Sequence, residues 1–209
     1  MANSSLAFER PRRQCPNSHP AFNGLRYAVI ASLFDAWTAA DPVSVAVLAF
    51  VSVQRLAELA LSGRNTRLLL AKGAIEVGRW HYPPMVALHA CWLGGLWLLA
   101  PTRPVGLVLL GVFAVLQIAR LWVMATLGDR WTTRIIVLPN APLVLSGPYR
   151  LLRHPNYCIV AAEVLVLPLA FGLVMFAFVF TALNAVVLCI RIREEDVALR
   201  RSQPRPLLG

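Results

Sequence analysis

Residues 158–190 read CIVAAEVLVLPLAFGLVMFAFVFTALNAVVLCI, an apolar run of 33 residues that decides how the chain folds. A single transmembrane helix needs about 20 apolar residues, so the run is too long for one span. Pro168 and Gly172 supply a break near its middle. We therefore predict a helical hairpin with helices at about 158–170 and 173–190. Each half is short for a bilayer, which indicates a tilted or incompletely crossing hairpin.

Charged residues flank both ends of this hairpin. The segment Gly147–Tyr157 precedes it with Arg150, Arg153 and His154, and Arg191–Asp196 follows it. Because both ends of a hairpin lie on one side of a membrane, the two clusters should form one polar site at the bilayer surface. Arg191 and Glu195 are four residues apart and share a helix face. They form either a salt-bridged helix end or a site for a zwitterionic amino-acid ligand.

The composition excludes an ordinary soluble domain. The chain is 58% hydrophobic with a mean hydropathy of +0.63, and 14% of its residues are charged, against about 25% in soluble domains. We predict an all-α integral membrane protein with about five transmembrane segments. Three of them, at about 43–61, 85–100 and 105–127, lie within a region 42–127, and the last two form the hairpin within the region 128–209.

The distribution of basic residues orients the chain. The net charge of +10 comes from 19 arginines and one lysine. Thirteen of these lie in the loop 62–84, the connector 128–157 and the C-terminal tail. The positive-inside rule therefore places the polar connector and the C-terminal helix in the cytosol. Arginines in short loops between apolar segments fit anionic lipid headgroups, and we predict no nucleic-acid partner.

Residues 1–41 are predicted to be a basic, disordered extension. Within it, residues 28–38 are apolar but short, and Asp35 interrupts them. They are either a weak surface helix, which we favour, or an imitation of a signal peptide. The four cysteines show neither a CxxC pair nor metal-ligand spacing, so no disulfide framework and no metal site are predicted.

Charges inside the apolar segments need partners. Arg55 and Glu58 share a helix face and should turn inward, away from lipid. Glu163 lies inside the hairpin, where Arg55 or Arg120 is the natural partner, and a structural ion pair is favoured over catalysis. At the mouth of the hairpin, His154 could cap the following helix, and Tyr149 and Tyr157 could be interfacial aromatics.

The pattern Gly147-Pro148-Tyr149-x-x-x-Arg153-His154-Pro155-x-Tyr157, the hairpin residue Asn184 and Arg191-x-x-x-Glu195 together resemble the isoprenylcysteine carboxyl methyltransferase family. Its members are integral membrane enzymes that use S-adenosylmethionine, and the resemblance covers about residues 43–200. Four further segments resemble a bacterial branch that O-methylates alkylpyrones or alkylresorcinols and is often associated with type III polyketide synthases. They are Gln54–Glu58, Arg64–Asn65, Gly73–Glu76 and Trp131–Arg134.

The resemblance implies the residues of the site. Arg191 and Glu195 would be catalytic, with Arg191 on the substrate side and Glu195 holding the polar end of S-adenosylmethionine. The remaining cofactor contacts would be Arg134, Pro142, Leu143, Val144, Tyr149, His154, Pro155, Asn156 and Tyr157, of which Arg134 is the weakest match. The residues 142–144 are expected to be strand-like. The chain has no Gly-x-Gly-x-x-Gly motif, which argues against a soluble Rossmann-type domain.

The expected function is therefore an O-methyltransferase that modifies a carboxylate or acidic hydroxyl of a lipophilic or prenylated substrate, in contact with membrane lipids. The expected location is a bacterial cell membrane, with the site facing the cytosol. A phospholipid N-methyltransferase or a reductase on a related fold is an alternative. So is a non-catalytic lipid-binding scaffold or small transporter, which would line a path through the bundle with charges. The sequence indicates no oligomeric state.

Overall fold

A computed structural model describes residues 39–139 and 141–202. The predicted extension therefore lies outside the described residues except at its end, and so does the predicted segment 28–38. The helices are α1 (Pro42–Ala71), α2 (Tyr82–Leu99), α3 (Leu107–Leu127), α4 (Pro155–Ala170) and α5 (Val174–Ser202). Two strands, β1 (Ile75–Val77) and β2 (Ile135–Val137), and three single 3-10 turns, Arg79–His81, Gly128–Arg130 and Gly147–Arg150, complete the described elements.

The helical fold is confirmed, with two corrections to its boundaries. Helix α1 continues to Ala71, well past residue 61, and passes through Gly63; the first glycine with a positive φ is Gly73, which takes the left-handed conformation at φ 86° just after the helix ends. Helix α5 continues through the charged cluster to Ser202, so the last apolar segment and the C-terminal helix are one element. The chain is also not purely helical, since β1 and β2 pair antiparallel, with Ile75 opposite Val137.

The strand-like segment was placed wrongly. Residues 142–144 have no regular structure, and the strand of the connector is β2 instead. Ile135 and Val137 are buried against Ala198, on the C-terminal half of α5. This apolar contact explains the location of the strand, because it gives β2 a buried face, whereas Pro142 and Leu143 are exposed.

Three described helices are long and apolar enough to cross a membrane: Pro42–Ala71, Leu107–Arg130 and Val174–Arg200. Helix α4, with 16 residues, is apolar but shorter. Five crossings therefore remain a prediction. The helices expose large apolar side chains outward, among them Val108, which is 82% exposed, and Met175, which is 77% exposed. Such a surface is suited to lipid rather than water.

The hairpin is confirmed, and Gly172 makes its turn. Gly172 has a φ of 69°, a conformation that ends α4 without steric cost to a residue lacking Cβ. The N–H of Leu173 then donates to the carbonyl of Pro168 at 2.9 Å. Pro168 itself lies inside α4, so it shapes the last turn rather than forming the break.

The bundle core contains a closed network of charged and amide side chains. Arg120 binds Glu58 through two contacts, of 2.5 and 2.6 Å, and reaches Glu163 at 2.9 Å. Arg55 also contacts both carboxylates, Glu58 at 2.9 Å and Glu163 at 2.7 Å. Gln117 donates to the second oxygen of Glu163 at 3.0 Å. The predicted inward pairing is confirmed, and Glu163 has both candidate partners rather than one.

This network joins three helices and has no net charge, since two arginines offset two glutamates. Arg55 and Glu58 belong to α1, Arg120 to α3 and Glu163 to α4, and Glu163 is fully buried. Removing one member leaves a partner charge unpaired in a low-dielectric interior, and such a charge is expensive.

We expect Glu163→Gln to destabilise the protein by roughly 3–5 kcal/mol, since it leaves Arg55 and Arg120 short of a carboxylate. Unfolding of detergent-solubilised protein would measure the loss. Asp129→Asn is the matched control, because Asp129 is exposed. Equal stability of the two variants would contradict the structural role of the network.

Candidate functional site

The two charged ends of the hairpin meet, as the sequence predicts. A guanidinium nitrogen of Arg153 lies 3.0 Å from the carboxylate of Asp196. His154 Nε2 lies 3.3 Å from the same carboxylate oxygen, a contact that is an ion pair when the imidazole is protonated. His154 makes no capping hydrogen bond with its side chain, so the capping interpretation is wrong. Its side chain instead joins the start of α4 to α5.

Tyr157 is the centre of the site. It lies on the first turn of α4, which begins at Pro155, and its hydroxyl donates to Glu195. Arg191 Nε donates to the same hydroxyl at 2.9 Å. The ring of His154 stacks on the ring of Tyr157, with centroids 5.6 Å apart. Tyr157 is buried, so it is not an interfacial aromatic but the link between Arg191 and Glu195.

A cavity of about 560 Å³ lies between the connector and the ends of α4 and α5 that carry the predicted site residues. This size is within the usual range for small-molecule sites. Of the predicted site residues, all but Pro155 line it. They are Arg134, Pro142, Leu143, Val144, Tyr149, His154, Asn156, Tyr157, Arg191 and Glu195. Pro155 is buried at the first position of α4 and contributes by starting that helix.

Several polar groups at this cavity have capacity left for a ligand. Asn156 Oδ1 is buried and accepts no hydrogen bond within the described residues. Arg191 is 5% exposed, and none of the ion pairs among the described residues involves it. Buried polar groups normally have partners, so the free Asn156 Oδ1 and the positive charge of Arg191 indicate a polar ligand.

Arg134 lies at the cavity with the other predicted residues, and it also has partners within the chain. It lines the cavity, but its guanidinium lies 2.7 Å from Glu76 and above the ring of Tyr82. Burial acts to raise the pKa of Glu76, yet Arg79 and Arg134 outweigh it and hold that pKa below its ordinary value. Arg134 therefore ties the loop before β2 to β1, and it shares the carboxylate of Glu76 with Arg79.

The connector is held over the cavity at two points. Arg130 donates to the carbonyl of Pro142 at 2.7 Å. Gly147 has a φ of 57° and lies so close to Thr126 that a Cβ there would come 2.6 Å from the hydroxyl. Burial raises the pKa of Tyr149 to about 12, and the charge of Glu195 acts in the same direction. Tyr149 is therefore a neutral phenol that can donate a hydrogen bond.

Sequence reasoning missed the contribution of α2. Met85 Sδ lies 3.2 Å from a guanidinium nitrogen of Arg191, and His81, one turn earlier, is buried. Both are more than 100 residues from Arg191, so no local pattern links them. Asn184, noted in the sequence, is buried on α5 with neither amide atom hydrogen bonded in the described part of the chain.

Comparisons with known proteins give the chain a family. The model of the isoprenylcysteine carboxyl methyltransferase family matches residues 108–201, from α3 to α5. The uncharacterized protein YpbQ of Bacillus subtilis (strain 168) is 39% identical over 160 residues, which cover 74% of this chain and 95% of the relative. An uncharacterized protein of Haemophilus influenzae is 27% identical over 165 residues, or 72% of this chain and 91% of that protein. No solved structure matches.

The matched region contains the hairpin, the connector and the Tyr157, Arg191 and Glu195 contacts described above. The chain therefore belongs to the isoprenylcysteine carboxyl methyltransferase family of membrane methyltransferases.

Proposed function

We propose that this protein transfers a methyl group from S-adenosylmethionine to an oxygen of a lipophilic acceptor, a carboxylate or an acidic hydroxyl. The observation that carries the proposal is the contact of Tyr157 with both Arg191 and Glu195 at the wall of one cavity. These contacts bring the cation Arg191 and the anion Glu195 close together, with the Tyr157 hydroxyl hydrogen-bonded to both.

The residues present fit the cofactor. Glu195 offers a carboxylate to an ammonium group, and Asn156 Oδ1 is an unused acceptor in the lining of the same cavity. Leu143, Val144 and Leu199 give the same cavity an apolar portion that suits an adenine ring. S-adenosylmethionine would supply an electrophilic methyl group on a sulfonium. The chain's own task is then to hold that group and to exclude water from it.

Arg191 is the residue that would bind the oxygen of the methyl acceptor. Its Nε is held by Tyr157 and one terminal nitrogen faces Met85, so the guanidinium lies between the cavity and α2. A buried guanidinium attracts and orients an oxyanion. The acceptor's apolar tail would lie among the helices, which expose apolar side chains to lipid.

The basic loops support a site facing the cytosol of a bacterial cell, where water-soluble S-adenosylmethionine is available. A transporter is disfavoured by the charges in the bundle, because Arg55, Glu58, Arg120 and Glu163 pair with one another. They form a closed network and do not line a path.

We expect Glu195→Gln to weaken binding of S-adenosylhomocysteine by roughly 10- to 100-fold, because a hydrogen bond to a charged group contributes about 1.5–3 kcal/mol. Calorimetric titration of purified protein would measure the affinity. Glu194→Gln makes the same change on the neighbouring residue, which is not among the lining residues, and should bind normally. Equal affinities for the two variants would overturn the role of Glu195.

Arg191→Gln should behave differently, since Arg191 is assigned to the acceptor. We expect S-adenosylhomocysteine to bind within about threefold of wild type while methyl transfer to lipid acceptors falls by about 10²–10³, the usual loss of an oxyanion-stabilising donor. Methyl-labelled S-adenosylmethionine and lipid extracts would report the transfer. Substantial transfer by this variant would exclude the proposed role.

Gly147→Ala tests the position of the connector. The new Cβ would meet Thr126, so the turn carrying Tyr149 must move, and we expect weaker S-adenosylhomocysteine binding. Gly128→Ala is the matched control, because Gly128 has a similar φ of 52° with open space around its Cα. Both substitutions strain the backbone, so a difference in affinity reports the displaced turn alone.

A further inference from the structure

A second cavity, of about 550 Å³, lies at the turn of the hairpin, where α5 begins. Residues between Gly172 and Phe180 line one side of it, and Leu99 and Arg103, at and just past the end of α2, line the other. The Tyr157 contacts lie at the opposite ends of α4 and α5, and the two cavities share no lining residue. We call this second cavity the apolar groove, because the candidate functional site does not account for it.

The lining of the apolar groove suits a hydrocarbon chain. Apart from Arg103, every lining residue is a glycine, leucine, valine, methionine or phenylalanine. The rings of Phe176 and Phe180 pack on each other with centroids 4.4 Å apart. Met175 is 77% exposed and Val179 is 50% exposed, so the groove adjoins the apolar outer surface of the bundle. Such a surface binds an apolar chain rather than a water-soluble molecule.

The walls of the groove belong to the packed structure. A Cβ on Gly95, in α2, would come 2.6 Å from the ring of Phe176, so the two helices touch at this level. Leu99 lies one turn further along α2, in the lining. The N–H of Gly106 donates to the carbonyl of Ala170 at 2.7 Å and ties the following loop to the end of α4. The groove therefore has fixed sides.

Arg103 brings an unpaired positive charge to the groove. Its side chain is exposed, its Nε donates to the carbonyl of Leu99 at 3.2 Å, and none of the ion pairs among the described residues involves it. The hydrogen bond orients the guanidinium and leaves its terminal nitrogens for a partner. Asp41 is the one acid in the described loops at this end, and its carboxylate accepts from Ser44 at the start of α1.

The position of Arg103 departs from the charge distribution of the chain. Thirteen basic residues lie in the segments predicted to face the cytosol. Arg103 is the one basic residue of the described loops at the other end, which are residues 100–106 and 171–173. The positive-inside rule disfavours arginine on that side. A cation placed there beside an apolar groove is suited to an anionic group at the membrane surface.

We propose that the apolar groove binds an acyl chain of an anionic phospholipid, such as phosphatidylglycerol, whose phosphate lies on Arg103. The terminal nitrogens of a guanidinium can donate to two oxygens of one phosphate. A zwitterionic phospholipid also has a phosphate, but its ammonium group would find no carboxylate in the lining. The lining between Val174 and Phe180 extends about 10 Å along α5, about two-thirds of one leaflet of the hydrocarbon core.

The headgroup is tested by native mass spectrometry of the detergent-solubilised protein, which gives the Kd of the first bound lipid without any cofactor. The probes are dioleoyl phosphatidylglycerol and dioleoyl phosphatidylethanolamine. We expect wild type to prefer the phosphatidylglycerol by about fivefold and Arg103→Gln to lose that preference, as expected for one arginine beside an anionic headgroup. Arg67→Gln is the matched control, since Arg67 is also exposed but lies towards the other end of α1, and it should keep the preference.

The acyl chain is tested by filling the groove. Val179→Trp places a large ring in the lining, and we expect it to weaken phosphatidylglycerol binding by roughly tenfold, the effect of excluding about two methylene groups. Val186→Trp is the control, because Val186 lies two turns later on α5, is 61% exposed and is not in the lining. Equal melting temperatures of the two lipid-free variants would confirm that both fold.

Each alternative occupant gives a different result. Equal affinity of wild type for the two phospholipids, or of Arg103→Gln and Arg67→Gln for phosphatidylglycerol, would overturn the headgroup assignment. Equal affinity of the two tryptophan variants would overturn the acyl-chain assignment. Competition by glycerol phosphate at the concentration of the lipid would identify a free phosphate as the ligand instead. Conversion of a dimer to a monomer by Val179→Trp, with lipid binding unchanged, would identify a second copy of the chain as the occupant.

Discussion

The carboxylate of Glu163 is the point on which the bundle depends. It is fully buried, and it accepts from Arg55 of α1, Arg120 of α3 and Gln117 of α3. In a membrane there is no water to take over these contacts, so the three helices must stay in one relative arrangement to keep every charge paired. The apolar contacts around the network add cohesion, but they would tolerate sliding that the ion pairs do not.

The fixed arrangement of these helices also positions the site, through α4. Tyr157 and Glu163 lie on that same short helix, so the helices that pair with Glu163 also fix the position of Tyr157. Tyr157 in turn connects α4 to Arg191 and Glu195 on α5. The connector covers the cavity, because β2 packs on α5 and Arg130 donates a hydrogen bond to the carbonyl of Pro142. A structural network in the bundle thus positions a polar site near its end, and the two use different charged residues.

Much of this arrangement follows from local patterns in the sequence. The hairpin could be predicted from the length of the apolar run, and the partners of Glu163 from the cost of a charge in lipid. The two strands could not, because each has three residues and its partner is distant in the chain. The ion pair between Arg134 and Glu76 depends on the pairing of β1 with β2, because the two residues lie in or beside these strands. Met85 escaped notice for a similar reason, because its contact with Arg191 comes from the packing of α2 beside α5, which no spacing in the sequence reports.

The continuity of α5 couples the position of the site residues to the bilayer around the helix. The apolar residues from Val174 onward and the pair Arg191 and Glu195 belong to one unbroken helix that ends at Ser202. A helix adapts to a thicker or thinner bilayer by changing its tilt. Any such change would move Arg191 and Glu195 relative to Tyr157 on α4. The thickness of the host membrane, and with it the lipid composition, is therefore a physical variable that bears on the geometry of the site.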